Sequence, residues 1–178
     1  MQNATDRYDR EVRHEELADA NCAISRAGAI LGNRWVFAIL RASYLRARTF
    51  EDYQRLTGIA RNVLTDRLRA LEADGILERR PYETTGSRTR HEYRLTVAGV
   101  ELYPLVAALM EWGNRHTGLT DGAPVQLRHR TCGGVTHPVV VCDGCGEPLH
   151  AHDVTPEPGP GARDEDAFVR LYARRTED

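Results

Sequence analysis

A chain of 178 residues with 41% hydrophobic content can bury one sizeable core and a small appendage, and only its ends lean toward the composition of unfolded segments. No apolar run approaches the roughly 18 residues a membrane span needs, and the charged opening MQNATDRYDREVRHEELADA is unlike a signal peptide; a cytoplasmic protein with no membrane partner is expected. The formal net charge of -2 excludes a uniformly basic nucleic-acid binder, yet residues 20–95 carry 14 Arg against 8 Asp plus Glu, a basic block between acidic ends.

Residues 1–18 alternate charges and read as an N-terminal arm. From Asp19 to Leu31, the residues Ala20, Ala23, Ile24, Ala27, Ile30 and Leu31 recur at helical spacing, and Gly32-Asn33 ends that helix. The run Trp35–Leu40 is apolar on every side and predicts a helix buried through the middle of the domain. Thr49 before Phe50, Glu51 and Asp52 is an N-cap followed by acidic residues, so a short helix should run to about Thr57. Gly58 then supplies a turn, Ile59 a core plug, and a second helix starts near Ala60 or Arg61, with Ala60 a poor cap.

On that second helix Leu64, Leu68 and Leu71 fall on one side, while Asn62, Thr65, Asp66 and Arg69 fall on the other, with Arg61 at the edge. Asp74-Gly75 is a helix stop of the left-handed kind. The following ILERRPYETTGSRTRHEYRLT reads as two extended segments around a polar tip at Thr85, Gly86 and Ser87, with His91, Tyr93 and Leu95 sharing one face. Thr96 should cap a last helix, whose apolar side is Leu102, Leu105, Val106, Leu109 and Trp112 and which Pro104 kinks or marks in its first turn. That stripe is wide for a helix at a domain edge, so part of it is expected to face a second copy in a homodimer. Composition shifts to Gly, Pro, Cys and His after Gly118. A segment at 124–154 and a flexible tail at 155–178, with one short helix around Phe168–Tyr172, complete the chain.

A helix entering the major groove needs short or forked polar side chains near its N-terminus, because that end reaches the base edges. Arg61, Asn62, Thr65 and Arg69 meet that need: Arg pairs with guanine and Asn with adenine in bidentate fashion. Asp66 accepts from cytosine or orients Arg69 one turn along. Taken alone, such a face is as readily a solvated helix surface. Five arginines in the hairpin, Arg79, Arg80, Arg88, Arg90 and Arg94, shift the balance toward a wing that straddles phosphates or enters the minor groove. The expectation is a winged helix-turn-helix, mainly α with a small β wing, joined to a small β zinc ribbon.

At this point the sequence resembles the HxlR-type regulators of the wider MarR-like winged-helix group. The resemblance rests on Cys22, ILGNRWVFAILR, RTFEDYQRLTGIARNVLTDRLRALEADGILERRPY, RHEYRLTVAGVELYPLV and EWGNRH, in that order, over about residues 20–117. It implies a homodimeric bacterial transcription factor over residues 19–118, working at the nucleoid as a repressor on a pseudo-palindromic operator, with one recognition helix per half-site. First and last domain helices would build its dimer interface. The chain departs from the family at Ala60, where a Ser cap is common, and beyond residue 120. The resemblance also implies a possible redox-sensing role for Cys22. If residue 22 is already helical, its thiol lies off the apolar stripe with Arg26 one turn along to favour thiolate; otherwise it is a small residue at the dimer contact.

Four cysteines without an export signal point to thiols or metal ligands rather than disulfides. His129-x-x-Cys132-Gly and Cys142-x-x-Cys145-Gly each have the form of a metal knuckle, with Val135 and Val139–Val141 able to form strands between them. His129, Cys132, Cys142 and Cys145 would hold one structural Zn2+ per chain, with His137, His150 and His152 competing for the place of His129. The expected function is therefore a DNA-binding transcriptional regulator with a structural zinc site, and not an enzyme. The alternative is a thiol-responsive regulator sensing through Cys22 or the zinc cysteines, with a small-molecule or redox effector. A metal- or thiol-dependent enzyme ranks below both, because no acid/base pair or phosphate-binding glycine loop accompanies the cysteines, and so does a protein-interaction adaptor in which the winged helix has lost DNA binding.

Overall fold

The computed structural model describes residues 21–82, 90–163 and 166. They fall into two units: residues 33–139, and a second assembled from residues up to 32 and from 140 onward. The N-terminal arm, the hairpin tip and the short helix expected at Phe168–Tyr172 lie outside the described residues. No described helix is long and apolar enough to cross a membrane.

In the second unit, helix α1 spans Ala23–Leu31 with Cys22 at its N-cap. The expected start at Asp19 falls outside the described residues. Its C-cap Gly32 is right-handed (φ -66°), so the helix ends without needing glycine's freedom.

The first unit begins at Asn33, whose side-chain oxygen accepts from the Trp35 amide at 3.0 Å and starts α2 (Arg34–Tyr44). All-round burial of Trp35–Leu40 does not occur. Val36, Ile39 and Leu40 are buried, whereas Trp35, Phe37 and Ala38 are half-buried. Trp35 instead offers its ring to the Arg34 guanidinium, 4.3 Å from the centroid. Farther along α2, Ser43 Oγ donates to the Ile39 carbonyl (3.0 Å), so the fully buried Tyr53 hydroxyl donates to Ser43 at 2.8 Å. Burial raises the Tyr53 hydroxyl above its ordinary pKa.

Helix α3 (Phe50–Thr57) opens on a capping box. Thr49 Oγ1 accepts from the Asp52 amide, and the Asp52 carboxylate accepts from the Thr49 amide at 3.1 Å. The Thr49 amide first, and then the Thr49 hydroxyl, hold the Asp52 carboxyl below its usual range. Gly58 at φ 67° turns the chain, Ile59 is 1% exposed, and α4 (Arg61–Ala73) follows with Leu64, Leu68 and Leu71 buried. Ala60 caps it without a side-chain bond, as its lack of an oxygen requires.

Strands β1 (Leu77–Tyr82) and β2 (Arg90–Leu95) pair antiparallel, with Leu77 opposite Leu95, Arg79 opposite Tyr93 and Pro81 opposite His91. The Tyr93 amide also donates to the Arg48 carbonyl at 2.7 Å, tying the hairpin to the loop before α3. Thr96 caps α5 (Val97–Glu101) by accepting from the Gly99 amide, while its hydroxyl donates to the Gly75 carbonyl at 2.6 Å. The single last helix expected from Thr96 breaks at Leu102, and α6 (Tyr103–His116) carries Pro104 in its first turn. Proline has no amide hydrogen for the α5 carbonyl four residues back, so the helix restarts there. In residues 124–154 the expected strands reduce to isolated bridges, Arg128 with Val135 and Val141 with Pro148.

Gly99 joins the hairpin to α5 and α6. It is buried, its carbonyl accepts from the Tyr44 hydroxyl at 2.8 Å, and a Cβ placed on it would collide with the Ile76 carbonyl and lie 2.9 Å from Leu95. Gly99→Ala is therefore expected to destabilise the protein by about 1–3 kcal/mol through overpacking. Gly28→Ala, whose Cβ meets nothing within 4 Å, should be neutral or slightly stabilising. Urea denaturation of the two variants checks the contrast.

Candidate nucleic-acid interface and cysteine knuckles

Burying three leucines fixes the rotation of α4 about its axis, and the same rotation sends Asn62, Asp66 and Arg69 to solvent. Thr65 is half-exposed, and its hydroxyl donates to the Arg61 carbonyl at 2.8 Å, leaving the oxygen's lone pairs outward. No ion pair joins Asp66 to Arg69 among the described residues, so each remains available on the helix surface. Arg61 departs from this row. Its guanidinium lies over the Phe50 ring, 4.8 Å from the centroid, at the start of α3.

The hairpin divides its cations between two faces. Arg80 pairs with Glu78 at 2.6 Å and Arg94 with Glu92 at 2.7 Å on the face carrying Glu78 and Arg94, and such exposed pairs contribute about 0–1 kcal/mol. On the opposite face Arg79 Nη2 approaches His91 Nδ1 at 3.1 Å. A guanidinium only donates, so His91 Nδ1 accepts and the ring is held by that bond. Tyr93 sets its ring edge-on to Tyr53, centroids 6.0 Å apart, and burial raises its hydroxyl pKa. Arg61, Arg79, Arg90 and His91 line one cleft of about 690 Å³ between the start of α3 and the wing. Arg88 lies outside the described residues.

Arg79, one of the five wing arginines, and His91 belong to this surface, although of the wing only Arg88 and Arg90 were expected at the DNA-binding site. The signal was available in the alternation along β2, which puts His91 and Tyr93 on one face; the register opposite them places Arg79 there and Arg80 on the other side.

Each knuckle, His129 with Cys132 and Cys142 with Cys145, forms a turn of its own. In the first unit the Gly133 amide donates to the His129 carbonyl (2.8 Å), Gly133 takes φ 71°, and His129 Nδ1 stands 3.3 Å from Cys132 Sγ. In the second unit the Gly146 amide donates to the Cys142 carbonyl (2.7 Å) and Gly146 takes φ 75°. Amides of Cys145 and Gly144 lower the Cys142 thiol pKa. A Cβ would stand 3.4 Å from Cys132 Sγ if added to Gly134, and 3.7 Å from Cys142 Sγ if added to Gly144, so both sulfurs sit against glycine. His137 Nδ1 approaches Glu111 at 3.8 Å, while His150 and His152 stack on each other. Among the described residues no three or more His, Cys, Asp or Glu side chains are gathered as a metal-binding group.

Cys22 is exposed at the N-cap of α1. Its thiol is held below the ordinary cysteine pKa by the Ser25 hydroxyl first, then by the Ser25 and Ile24 amides.

Helices α2–α4 with the β1–β2 hairpin make a winged helix-turn-helix, the class of protein that places a recognition helix against DNA. The HxlR-like helix-turn-helix family model matches residues 30–121, and the chain belongs to that family. Uncharacterized HTH-type transcriptional regulators of Mycobacterium tuberculosis and Mycobacterium bovis are each 42% identical to it over 139 residues, covering 78% of this chain and 87% of theirs. The crystal structure of PA1607, described as a candidate transcription factor, superimposes with TM-score 0.71 at 31% identity, covering 79% of this chain and 96% of that one. A second such factor, PA1374 of Pseudomonas aeruginosa, gives TM-score 0.58 at 33% identity over 81% of this chain and 97% of its own. The protein is thus a helix-turn-helix transcriptional regulator and not an enzyme.

The lowered Cys22 pKa has a direct readout. Thiolate forms at lower pH than in an unperturbed cysteine, so alkylation of Cys22 by iodoacetamide should reach half its maximal rate at lower pH than that of a cysteine in an unfolded peptide of the same sequence. Ser25→Ala removes the largest cause and should move the midpoint upward, as read by mass spectrometry of the modified peptide.

Proposed function

We propose that the protein is a homodimeric, sequence-specific repressor that reads a pseudo-palindromic operator with α4 and grips the flanking backbone with its wing. The observation that carries this is the polar row on α4, with Asn62, Asp66 and Arg69 exposed and Thr65 half-exposed, beside a cleft lined by three arginines. In a dimer the two recognition helices would meet successive major-groove faces about 34 Å apart. The wing arginines, Arg88 and Arg90 among them, would supply salt-dependent affinity. Such a protein works in the cytoplasm, at the nucleoid, and answers to a small-molecule or redox effector.

Dimerisation is supported by the apolar side chains left in solvent on α5 and α6. Val97, Val100, Tyr103, Leu105, Leu109 and Trp112 are all exposed, Trp112 by 58%. A second copy of the same surface is the occupant that fits a regulator reading a two-fold operator.

A structural zinc ion is the second part of the proposal. The chemistry of the donors supports it: each knuckle places two ligand-type residues on a glycine turn, and His129 Nδ1 and Cys132 Sγ are separated by 3.3 Å. Two ligands of one tetrahedral zinc stand roughly 3.6 Å apart, from Zn–N and Zn–S bond lengths of about 2.0–2.1 and 2.3 Å. His129, Cys132, Cys142 and Cys145 would hold the ion; bound zinc would supply folding energy to a segment with few buried apolar side chains.

A thiol-responsive form of the same regulator is favoured by one observation, the exposed Cys22 with its lowered pKa. Binding to the operator with and without diamide, in wild type and Cys22→Ser, separates the two forms: a loss on oxidation that the variant escapes assigns the sensor to Cys22.

Footprinting on the DNA flanking the gene tests the main reading. Arg69→Ala is expected to weaken protection by roughly 1–3 kcal/mol at that contact; protection unchanged by the substitution rules out the docking. Sedimentation should give a dimer that Trp112→Glu dissociates. Metal analysis should find about one zinc per chain, lost in Cys142→Ser, and a metal-free protein with an ordered segment at 124–154 would sink the zinc proposal.

A further inference from the structure

Arg61 sits at the N-terminal end of α4, where a base-reading side chain is expected, but its guanidinium is turned the other way. It lies against the Phe50 ring at the first residue of α3, the helix that crosses the DNA backbone in this motif. Arg79 and Arg90 of the wing line the same cleft, with Glu51 as its acidic member. Three full positive charges therefore face one carboxylate. Arg79 is oriented by its bond to His91, and Arg61 by the face of Phe50. Arg80 and Arg94 are paired with Glu78 and Glu92 on the other face of the hairpin; Arg90 shares that face in register, opposite Tyr82, yet lines the cleft and has no acidic partner among the ion pairs of the described residues.

Building on the DNA-binding reading above, we infer that Arg61, Arg79 and Arg90 form a clamp for one phosphodiester group of the DNA backbone, with Phe50 as the positioning residue for Arg61. A phosphodiester carries a single charge spread over two oxygens, which the forked donors of two arginines can meet bidentately while the third supplies field. The cleft of about 690 Å³ leaves room for the sugars on either side. Reading of base edges then falls to Asn62, Thr65, Asp66 and Arg69, and Arg61 contributes affinity and register without sequence preference.

The two roles differ in what a substitution changes. Bound duplexes are selected from a randomised-sequence pool and sequenced for wild type, Arg61→Ala, Arg69→Ala and Phe50→Leu, and affinities for the selected duplex and for a mixed-sequence duplex are measured across a salt series. Arg61→Ala should keep the wild-type preferred sequence and lose affinity for both duplexes by the same factor, on the order of tenfold, with a salt slope shallower by about 0.9 for each Arg61 engaged. Phe50→Leu should show the same pattern with a smaller loss, and Phe50→Tyr, which keeps the aromatic face, should bind as wild type. A change of preference at one base pair with the slope unchanged makes Arg61 a base reader and overturns the clamp. Wild-type binding by Arg61→Ala, with relaxed preference in Arg69→Ala, also overturns it while leaving the docking of α4 intact. Wild-type binding by both variants removes the docking itself.

Discussion

The burial of Leu64, Leu68 and Leu71 on α4 is the constraint on which the DNA-facing surface depends. These side chains have at most 1% exposure, in a core that also holds Ile39, Leu40, Tyr53 and Ile59. Removing one such leucine typically costs about 2–5 kcal/mol, against at most about 1 kcal/mol for an exposed ion pair such as Arg55 with Asp52. Packing therefore decides which way the helix faces, and charge decorates a surface already chosen. Because an α-helix is rigid about its axis, a stripe locked inward leaves the opposite row of polar side chains no freedom to turn away from solvent.

The hairpin is held to that core by its inner face. Leu77 and Leu95 sit opposite each other at its base, Tyr93 meets Tyr53 edge to face, and the Tyr93 amide is bonded to Arg48. Farther from the core the same face carries Arg79 and His91 instead of apolar groups, so one side of one sheet passes from apolar packing to cationic and polar side chains along its length. The net charge of -2 says nothing of this arrangement, because Glu78 and Glu92 cancel Arg80 and Arg94 locally while Arg61, Arg79 and Arg90 line one cleft. Within a Debye length of about 8 Å at physiological salt, that local excess, and not the sum over the chain, sets the field at the cleft.

Much of the fold could be read from short-range chemistry. Thr49 with Asp52, Gly58, Gly75 and the 3-4 spacing of the three leucines each involve neighbours within one or two turns, where the backbone's needs dictate residue type. The knuckle glycines belong with them, since Gly133 and Gly146 occupy left-handed turns that the Cys-Gly pattern foretells. All-round burial of Trp35–Leu40 failed as an expectation because hydrophobicity reports a preference for burial, not the amount of partner surface available. Strands at Val135 and Val139–Val141 shrank to isolated bridges for a related reason: β-branched residues favour extension but cannot supply a partner strand.

By itself the sequence determined the element order through the hairpin, the inward stripe of α4, the caps and stops around it, the outward row at Asn62, Thr65, Asp66 and Arg69, and membership in a helix-turn-helix family. Only the tertiary structure decided what each arginine does. Arg61 and Phe50 are eleven positions apart in sequence, and Arg79 and His91 lie on different strands, so no local pattern brings them together. Side-chain pairing across elements depends on register and helix packing, which are global outcomes of burying the core. A cation's partner is therefore settled last, by whichever face the packed core turns toward it.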